Sequence, residues 1–246
     1  MEVNDRLCRM LGYTREELVG KNARMLYADP QEFERVDREK YAQMEKEDAG
    51  VLETVWKRKD GRLLPVLLSF APVDPRQPQG DFTFTALDIT LRRQAQEDAR
   101  RSEALYRQLF ETMLEGVVYQ DAEGKIFSAN PSAERILGLT LDQMTGRTSM
   151  DPRWRAVRED GSDFPGEEHP AMLALRSGKP VQGLVMGVFN PVMNETRWIR
   201  VNSIPLFHPG EEKPYQVYSI FNDITEAYQL AKDVKAAVIL RRKEQG

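Results

Sequence analysis

Two stretches of this sequence align without a gap at a constant offset of 126 residues. Asn4-Asp5-Arg6-Leu7-Cys8-Arg9-Met10-Leu11-Gly12-Tyr13-Thr14 lies on Asn130-Pro131-Ser132-Ala133-Glu134-Arg135-Ile136-Leu137-Gly138-Leu139-Thr140, with Asn, Arg, Leu, Gly and Thr matching. The register runs on to Gly20 and Gly146. An internal repeat obliges the chain to build one unit twice. Each block reads as a short helix, with Asn4 or Asn130 as N-cap and Gly12 or Gly138 where a left-handed residue closes the last turn. A second short helix starts at Thr14 or Thr140, and Glu17 completes a capping box with Thr14. The repeat also has a shared ending. Apolar runs at 82–87 and 217–222 stop at Asp88-Ile89-Thr90 and Asp223-Ile224-Thr225, after which charged helix formers take over. A buried strand that becomes a solvated helix through a polar cap links a core to what lies outside it, which is the layout of a transmitter.

Composition narrows the function classes. A length of 246 residues suggests one or two domains, and 41% hydrophobic residues suffice for real cores. A formal charge of −4 leaves no basic footprint for nucleic acid. Arg92-Arg93 and Arg100-Arg101 are interleaved with acidic residues and read as a solvated helix face. One cysteine excludes an internal disulfide and fits a reducing compartment. The N-terminus has no secretory pattern, and the longest apolar stretches, 63–73 and 183–189, are far short of a membrane span, so a cytoplasmic chain is expected. Catalytic inventories are missing. Neither the Walker pattern nor Gly-x-Gly-x-x-Gly occurs, and two histidines with one cysteine cannot assemble a His/Cys metal cluster. A phosphoacceptor His followed by an acid and a Gly-Gly-Asp/Glu-Glu-Phe cyclase motif are also absent. The chain reads as a regulatory piece, not an enzyme.

Between the repeated ends lie antiparallel strands. In the first copy 51–57 and 63–73 flank Arg58-Lys59-Asp60-Gly61, a strong hairpin signal. In the second, 181–189 and 197–206 flank a looser turn at Asn190-Pro191, and His208-Pro209-Gly210 leads into a last strand at 215–222. The second copy opens with a hairpin, 116–120 and 125–128, whereas only three residues precede Asn4. A helix at about 91–113 carries Ala95, Ala99, Ser102, Tyr106, Leu109 and Met113 at heptad-like spacing, a weak two-helix seam. The tail from Glu226 repeats the pattern with Ala227, Leu230 and Val234. Both ends read as breaks inside recognisable elements, and a longer parent protein is expected.

The order and spacing of these motifs resembles a tandem of PAS domains. The carriers in the second copy are Tyr106-Arg107-Gln108-Leu109-Phe110-Glu111, Glu115-Gly116-Val117-Val118, Asp121-Ala122-Glu123-Gly124-Lys125-Ile126, Asn130-Pro131-Ser132-Ala133, Trp198 and Asp223-Ile224-Thr225-Glu226. The resemblance implies an α+β chain of two PAS-like domains, each a five-stranded antiparallel sheet with helices on one face around a small cavity. The first is truncated, and a signalling helix joins them. The divisions are a partial PAS domain at 1–90, a linker helix at 91–113, a PAS domain at 104–226 and the start of a C-terminal signalling helix at 227–246. In that fold the opening strand pairs with the last. The strand at 82–87 then keeps an unpaired edge, expected to be covered by another chain, a linker helix or a swapped segment.

The resemblance further implies that alternate residues of the last two strands face the cavity. They are Ile199, Val201, Ser203, Ser219 and Phe221 in the second copy, and Val66, Leu68 and Phe70 in the first. Faces this apolar read first as plain core and second as a ligand site. His169 occupies the place from which haem-binding relatives supply a ligand. Beside two carboxylates and ahead of Pro170 it reads instead as a helix-start or surface residue, and His208 as exposed. Cys8 is not in a photoadduct motif and reads as a helix thiol. Neither haem nor flavin is supported, and the cofactor is unknown. Asp88, Thr90, Asp223 and Thr225 read as helix-start caps and, with Trp198, as relay residues.

The expectation is a bacterial cytoplasmic sensory and relay module. It binds a small molecule or partner and passes a conformational change through its exit helices to an output domain, as a homodimer joined through the linker and C-terminal helices. The alternative is a ligand-free dimerisation spacer of a histidine kinase or diguanylate cyclase.

Overall fold

The structure, a computed structural model, describes residues 2–44, 49–74, 82–149, 151 and 154–244. Met1 and the segment 75–81 of the expected first domain, and residues 245–246 of the expected exit helix, lie outside the described residues. The chain divides into two compact units, Met1–Glu103 and Ala104–Gly246.

The first unit begins with α1 (Asp5–Leu11), α2 (Arg15–Leu18), a 3-10 turn (Ala23–Leu26) and α3 (Pro30–Met44). The repeated caps form as the sequence prescribes. Asn4 Oδ1 accepts from Leu7 N–H at 2.9 Å, and Gly12 closes α1 with φ 78°, donating to Cys8 O. Thr14 and Glu17 make a reciprocal capping box at α2. Three strands follow, β1 (Gly50–Lys57), β2 (Leu63–Pro72) and β3 (Phe82–Asp88), antiparallel in the order β1-β2-β3. Val66, Leu68 and Phe70 turn inward onto Leu11, Leu18, Leu26 and Val36. No described strand pairs with the free edge of β3, where Phe84 and Leu87 are 42% and 52% exposed. Of the covers expected for that edge, another chain, a linker helix or a swapped segment, no swapped strand is paired there among the described residues. From β3 the chain enters α4 (Thr90–Thr112), which buries none of its residues.

The second unit contains β4 (Gly116–Asp121), β5 (Ile126–Ala129), α5 (Pro131–Leu137), α6 (Leu141–Met144), β6 (Ala156–Val157), α7 (Pro170–Ser177), β7 (Val181–Asn190), β8 (Glu195–Leu206), β9 (Gln216–Asp223) and α8 (Thr225–Glu244). Its sheet runs β5-β4-β9-β8-β7-β6. The opening strand β4 lies antiparallel on the last strand β9, and two-residue β6 adds a sixth strand to the five expected. Asn130 repeats the cap of Asn4 but is fully buried. Its Oδ1 accepts from Ala133 N–H and Val117 N–H, both at 2.9 Å, and its Nδ2 donates to Glu115 O at 2.9 Å. One asparagine thus ties α5 to the opening strand. Gly138, at φ 68°, is also required sterically, because a Cβ there would meet Asn190 Oδ1 at 2.2 Å.

Both strand-to-helix exits keep one register. Val66 faces Asp88 across β2 and β3, and Ile199 faces Asp223 across β8 and β9. Ile89 N–H donates to Pro65 O at 3.1 Å, and Ile224 N–H to Trp198 O at 2.8 Å. Pro65 therefore stands in the first copy where Trp198 stands in the second. No described helix is long and apolar enough to cross a membrane.

Candidate functional site

The inner face of the second sheet, flanked by α5, α7 and the loop before β6, forms a pocket of about 90 Å³ that is partly open to solvent. Alternation along β8 and β9 decides which side chains reach it. Ile199, Val201, Ser219 and Phe221 line it, all buried. Ser203 is fully buried beside it, its Oγ 2.7 Å from that of Ser219, the two residues being Cα partners. The five sequence-derived cavity residues thus converge on one patch. Gly116 stays a glycine because Phe221 lies over it, and a Cβ would meet that ring at 2.3 Å.

Gln120 and Trp154 are among the lining residues that escaped the sequence reading. Gln120 is buried two positions after Val118 on β4, with Nε2 donating to Gly124 O at 2.7 Å. Its signal was the alternation of β4 itself. Trp154 lines the cavity from the loop before β6, and its indole N–H is buried without a hydrogen-bond partner. A lone large aromatic in a polar stretch was the available clue.

His169 corrects the sequence expectation. It is 8% exposed, makes no side-chain cap, and lines the cavity. Pro170 at the first helical position leaves His169 extended just outside α7, and the ring turns inward, edge-on to Phe164 at 5.1 Å. Its Nε2 lies 3.0 Å from Phe164 O. A carbonyl can only accept, so this nitrogen carries the proton. Burial pushes the imidazole pKa down, opposed by that hydrogen bond, and the ring is neutral at neutral pH. His208 is exposed and stacks on Tyr215 at 4.0 Å.

The relay residues sit where the strands leave the core. Asp223 Oδ1 accepts from Thr225 N–H at 2.9 Å and from the Thr225 hydroxyl at 2.5 Å, while Thr225 Oγ1 accepts from Trp198 N–H at 2.9 Å. Arg197 pairs with Asp223 at 3.4 Å. Tyr228, unmarked in the sequence reading, stacks on Trp198, and its hydroxyl donates to Glu159 O at 3.4 Å. The first copy keeps half of this. Asp88 Oδ1 accepts from Thr90 N–H at 2.8 Å, but Pro65 has no N–H to offer Thr90. An ion pair of Arg93 with Glu53 at 2.6 Å ties its exit helix to the sheet instead.

The first unit has a smaller cavity, about 70 Å³, walled by Leu26, Tyr27, Phe33, Trp56, Leu68 and Phe70 among others. Burial raises the Tyr27 pKa. Cys8 is half-buried against this core. No cluster of metal-ligating side chains occurs among the described residues.

Comparison with known proteins places this geometry. A family model described as PAS domain matches residues 1–90, and one described as PAS fold matches residues 104–224. The C4-dicarboxylate transport sensor protein DctS of Rhodobacter capsulatus is 28% identical over 147 residues, 59% of this chain and 21% of the relative. The sensor histidine kinase TmoS of Ectopseudomonas mendocina is 26% identical over 140 residues, 52% of this chain and 12% of the relative. The chain thus spans about a fifth and about an eighth of the length of these two. Among solved structures, a PAS domain from Colwellia psychrerythraea is 17% identical, with a TM-score of 0.39 over 50% of this chain and 97% of its own.

Proposed function

The chain belongs to the PAS family, carrying the domain twice, and from that premise we propose that it is a sensory and relay module governing a separate output domain. A small molecule taken into the second cavity repacks β8 and β9, and the change leaves through Asp223, Thr225 and Trp198 into α8. The observation that carries this reading is the position of Trp198. It adjoins cavity-lining Ile199, and it meets the exit helix through its N–H, to Thr225, and its ring, on Tyr228, while its carbonyl holds Ile224 just before the helix. The coupling can equal only the ligand's differential affinity for two states, typically about 1–3 kcal/mol.

The first domain, with Pro65 at the matching position, serves as the more passive relay through Asp88 and Thr90. The kinship to sensor proteins favours a histidine kinase as the output. A cytoplasmic homodimer joined through α4 and α8 fits the exposed Leu105, Leu109, Leu230 and Val234 on those helices.

The spacer alternative draws on the aliphatic lining of the cavity. Native mass spectrometry of the purified chain separates the two. A dimer with a reproducible small-molecule adduct supports sensing; a bare dimer supports the spacer, and a monomer contradicts the helix-seam route.

A further inference from the structure

The outer face of the second sheet carries a cluster of aromatic rings centred on Tyr119 of β4. The Tyr119 ring lies 5.6 Å from that of Tyr218 on β9, 6.1 Å from Phe127 on β5 and 6.3 Å from Phe110 on α4. Tyr106, one turn earlier on α4, stacks on Phe110 at 6.2 Å, and its hydroxyl lies 3.1 Å from that of Tyr119. Burial first, and then the Tyr106 hydroxyl, push the Tyr119 phenol above its usual pKa, so it keeps its proton at physiological pH and the hydroxyl pair persists.

Alternation sets the three sheet rings back to back with the wall of the second cavity. Tyr119 falls between Val118 and Gln120, Tyr218 precedes Ser219, and Phe127 follows Ile126, and each of these four neighbours lines the cavity. Tyr119 and Tyr218 are also Cα partners across β4 and β9. The last turns of α4 therefore touch strands whose other face forms the cavity, as α8 touches β8 through Tyr228 and Trp198. α4 buries none of its residues, so this hold is light enough to be made and released. One aromatic pair moves an equilibrium by about two- to tenfold.

We infer that Tyr106, Phe110 and Tyr119 form an input latch, through which the state of α4 sets the affinity of the second cavity. This rests on the sensing reading and adds regulation of the same site. α4 begins two residues after Asp88, where β3 of the first domain ends, so the first domain acts on the cavity through the latch. Linkage makes the coupling reciprocal: a ligand in the cavity changes the latching of α4 by the factor that latching changes its affinity.

The test compares the full chain with the double variant Tyr106→Ala/Phe110→Ala. It removes the α4 half of the latch with the best helix former and replaces no cavity-lining residue. Xenon is the probe, because it enters apolar cavities without specific chemistry. Methyl signals of Val201 and Met186, two and three strands away from β4, give its half-saturation pressure. Amide exchange at 107–112 reads the hold on α4. The double variant is expected to quicken that exchange about fivefold and to shift the half-saturation pressure about threefold in either direction. Xenon should change exchange at 107–112 in wild type and not in the variant. Tyr106→Phe, which keeps the rings and loses the hydroxyl pair, should give a smaller shift of the same sign. Faster exchange with an unchanged half-saturation pressure overturns the input role and leaves the sensing reading standing. Unchanged exchange in the double variant overturns the latch itself. No xenon uptake in wild type overturns both the input role and the sensing reading.

Discussion

The indole of Trp198 lies on the phenol of Tyr228 with ring centroids 4.0 Å apart and planes 19° from parallel. Trp198 belongs to β8 and Tyr228 to the first turn of α8. The stack therefore clamps the exit helix to a strand whose next residue, Ile199, touches the cavity. The Tyr228 hydroxyl adds a second tie, to Glu159 in the turn after β6. Ala156 of β6 also lines the cavity, so two of its walls reach the same tyrosine.

Tyr228→Ala removes both ties without touching the cavity. A stacked aromatic pair contributes about 0.5–1.5 kcal/mol. Amide exchange in the first turn of α8 is expected to quicken roughly fivefold, with the exchange of β4 and β9 unchanged. Hydrogen-exchange mass spectrometry reads both.

The Asp223 cap sets the start of α8. Asp223→Ala loses the bonds to the Thr225 N–H and hydroxyl and the pairing with Arg197, and costs about 1 kcal/mol. In a full-length signalling context it uncouples sensing from output. An unchanged response there counts against the relay.

The two copies make a matched experiment in capping. Asn4 is exposed and serves one N–H, so Asn4→Ala costs about 1 kcal/mol. Asn130→Ala loses the same cap and leaves the buried N–H of Val117 and the carbonyl of Glu115 without this partner, for a cost of about 3 kcal/mol. Urea titrations of the two variants, followed by probes in each domain, check the difference.

The repeat let these caps be read from the sequence because a cap is local chemistry, settled within four residues. Strand alternation sorted Ile199, Val201, Ser219 and Phe221 onto one face, since side-chain period follows from the backbone alone, and the PAS resemblance identified that face as the inward one. The failures have a common cause. The direction of the His169 ring is set by Phe164 and the core, that of Trp154 by the fold of a loop, and the role of Tyr228 by where α8 meets β8. None of these follows from local spacing. The edge of β3 was identified from the resemblance, but what covers it is not a property of the strand itself.

His169 gives the second domain a pH dependence of known sign. Its folded pKa lies below the ordinary 6.5 because burial disfavours the cation. As the pH falls below 6.5 the unfolded chain takes up the proton first, so stability declines until the folded pKa is passed. Arg158, whose guanidinium lies 4.9 Å from the centroid of the adjacent Phe164 ring and which pairs with Glu168, adds no relief for a second cation there. His169→Gln should flatten the decline between about pH 7 and about pH 5. Urea midpoints at both ends measure it, and an equal decline in the variant assigns the effect to other groups.

Filling the second cavity is expected to change the exit helix. Xenon enters dry apolar cavities without specific chemistry, so amide exchange of residues 226–230 under xenon pressure isolates the coupling from the ligand's identity. Exchange rates are expected to change severalfold in wild type, to change little in Asp223→Ala, and to stay unaltered in α1 of the first domain. Methyl signals of Val201 and Met186 that report xenon uptake, with exchange at 226–230 unchanged, would contradict it.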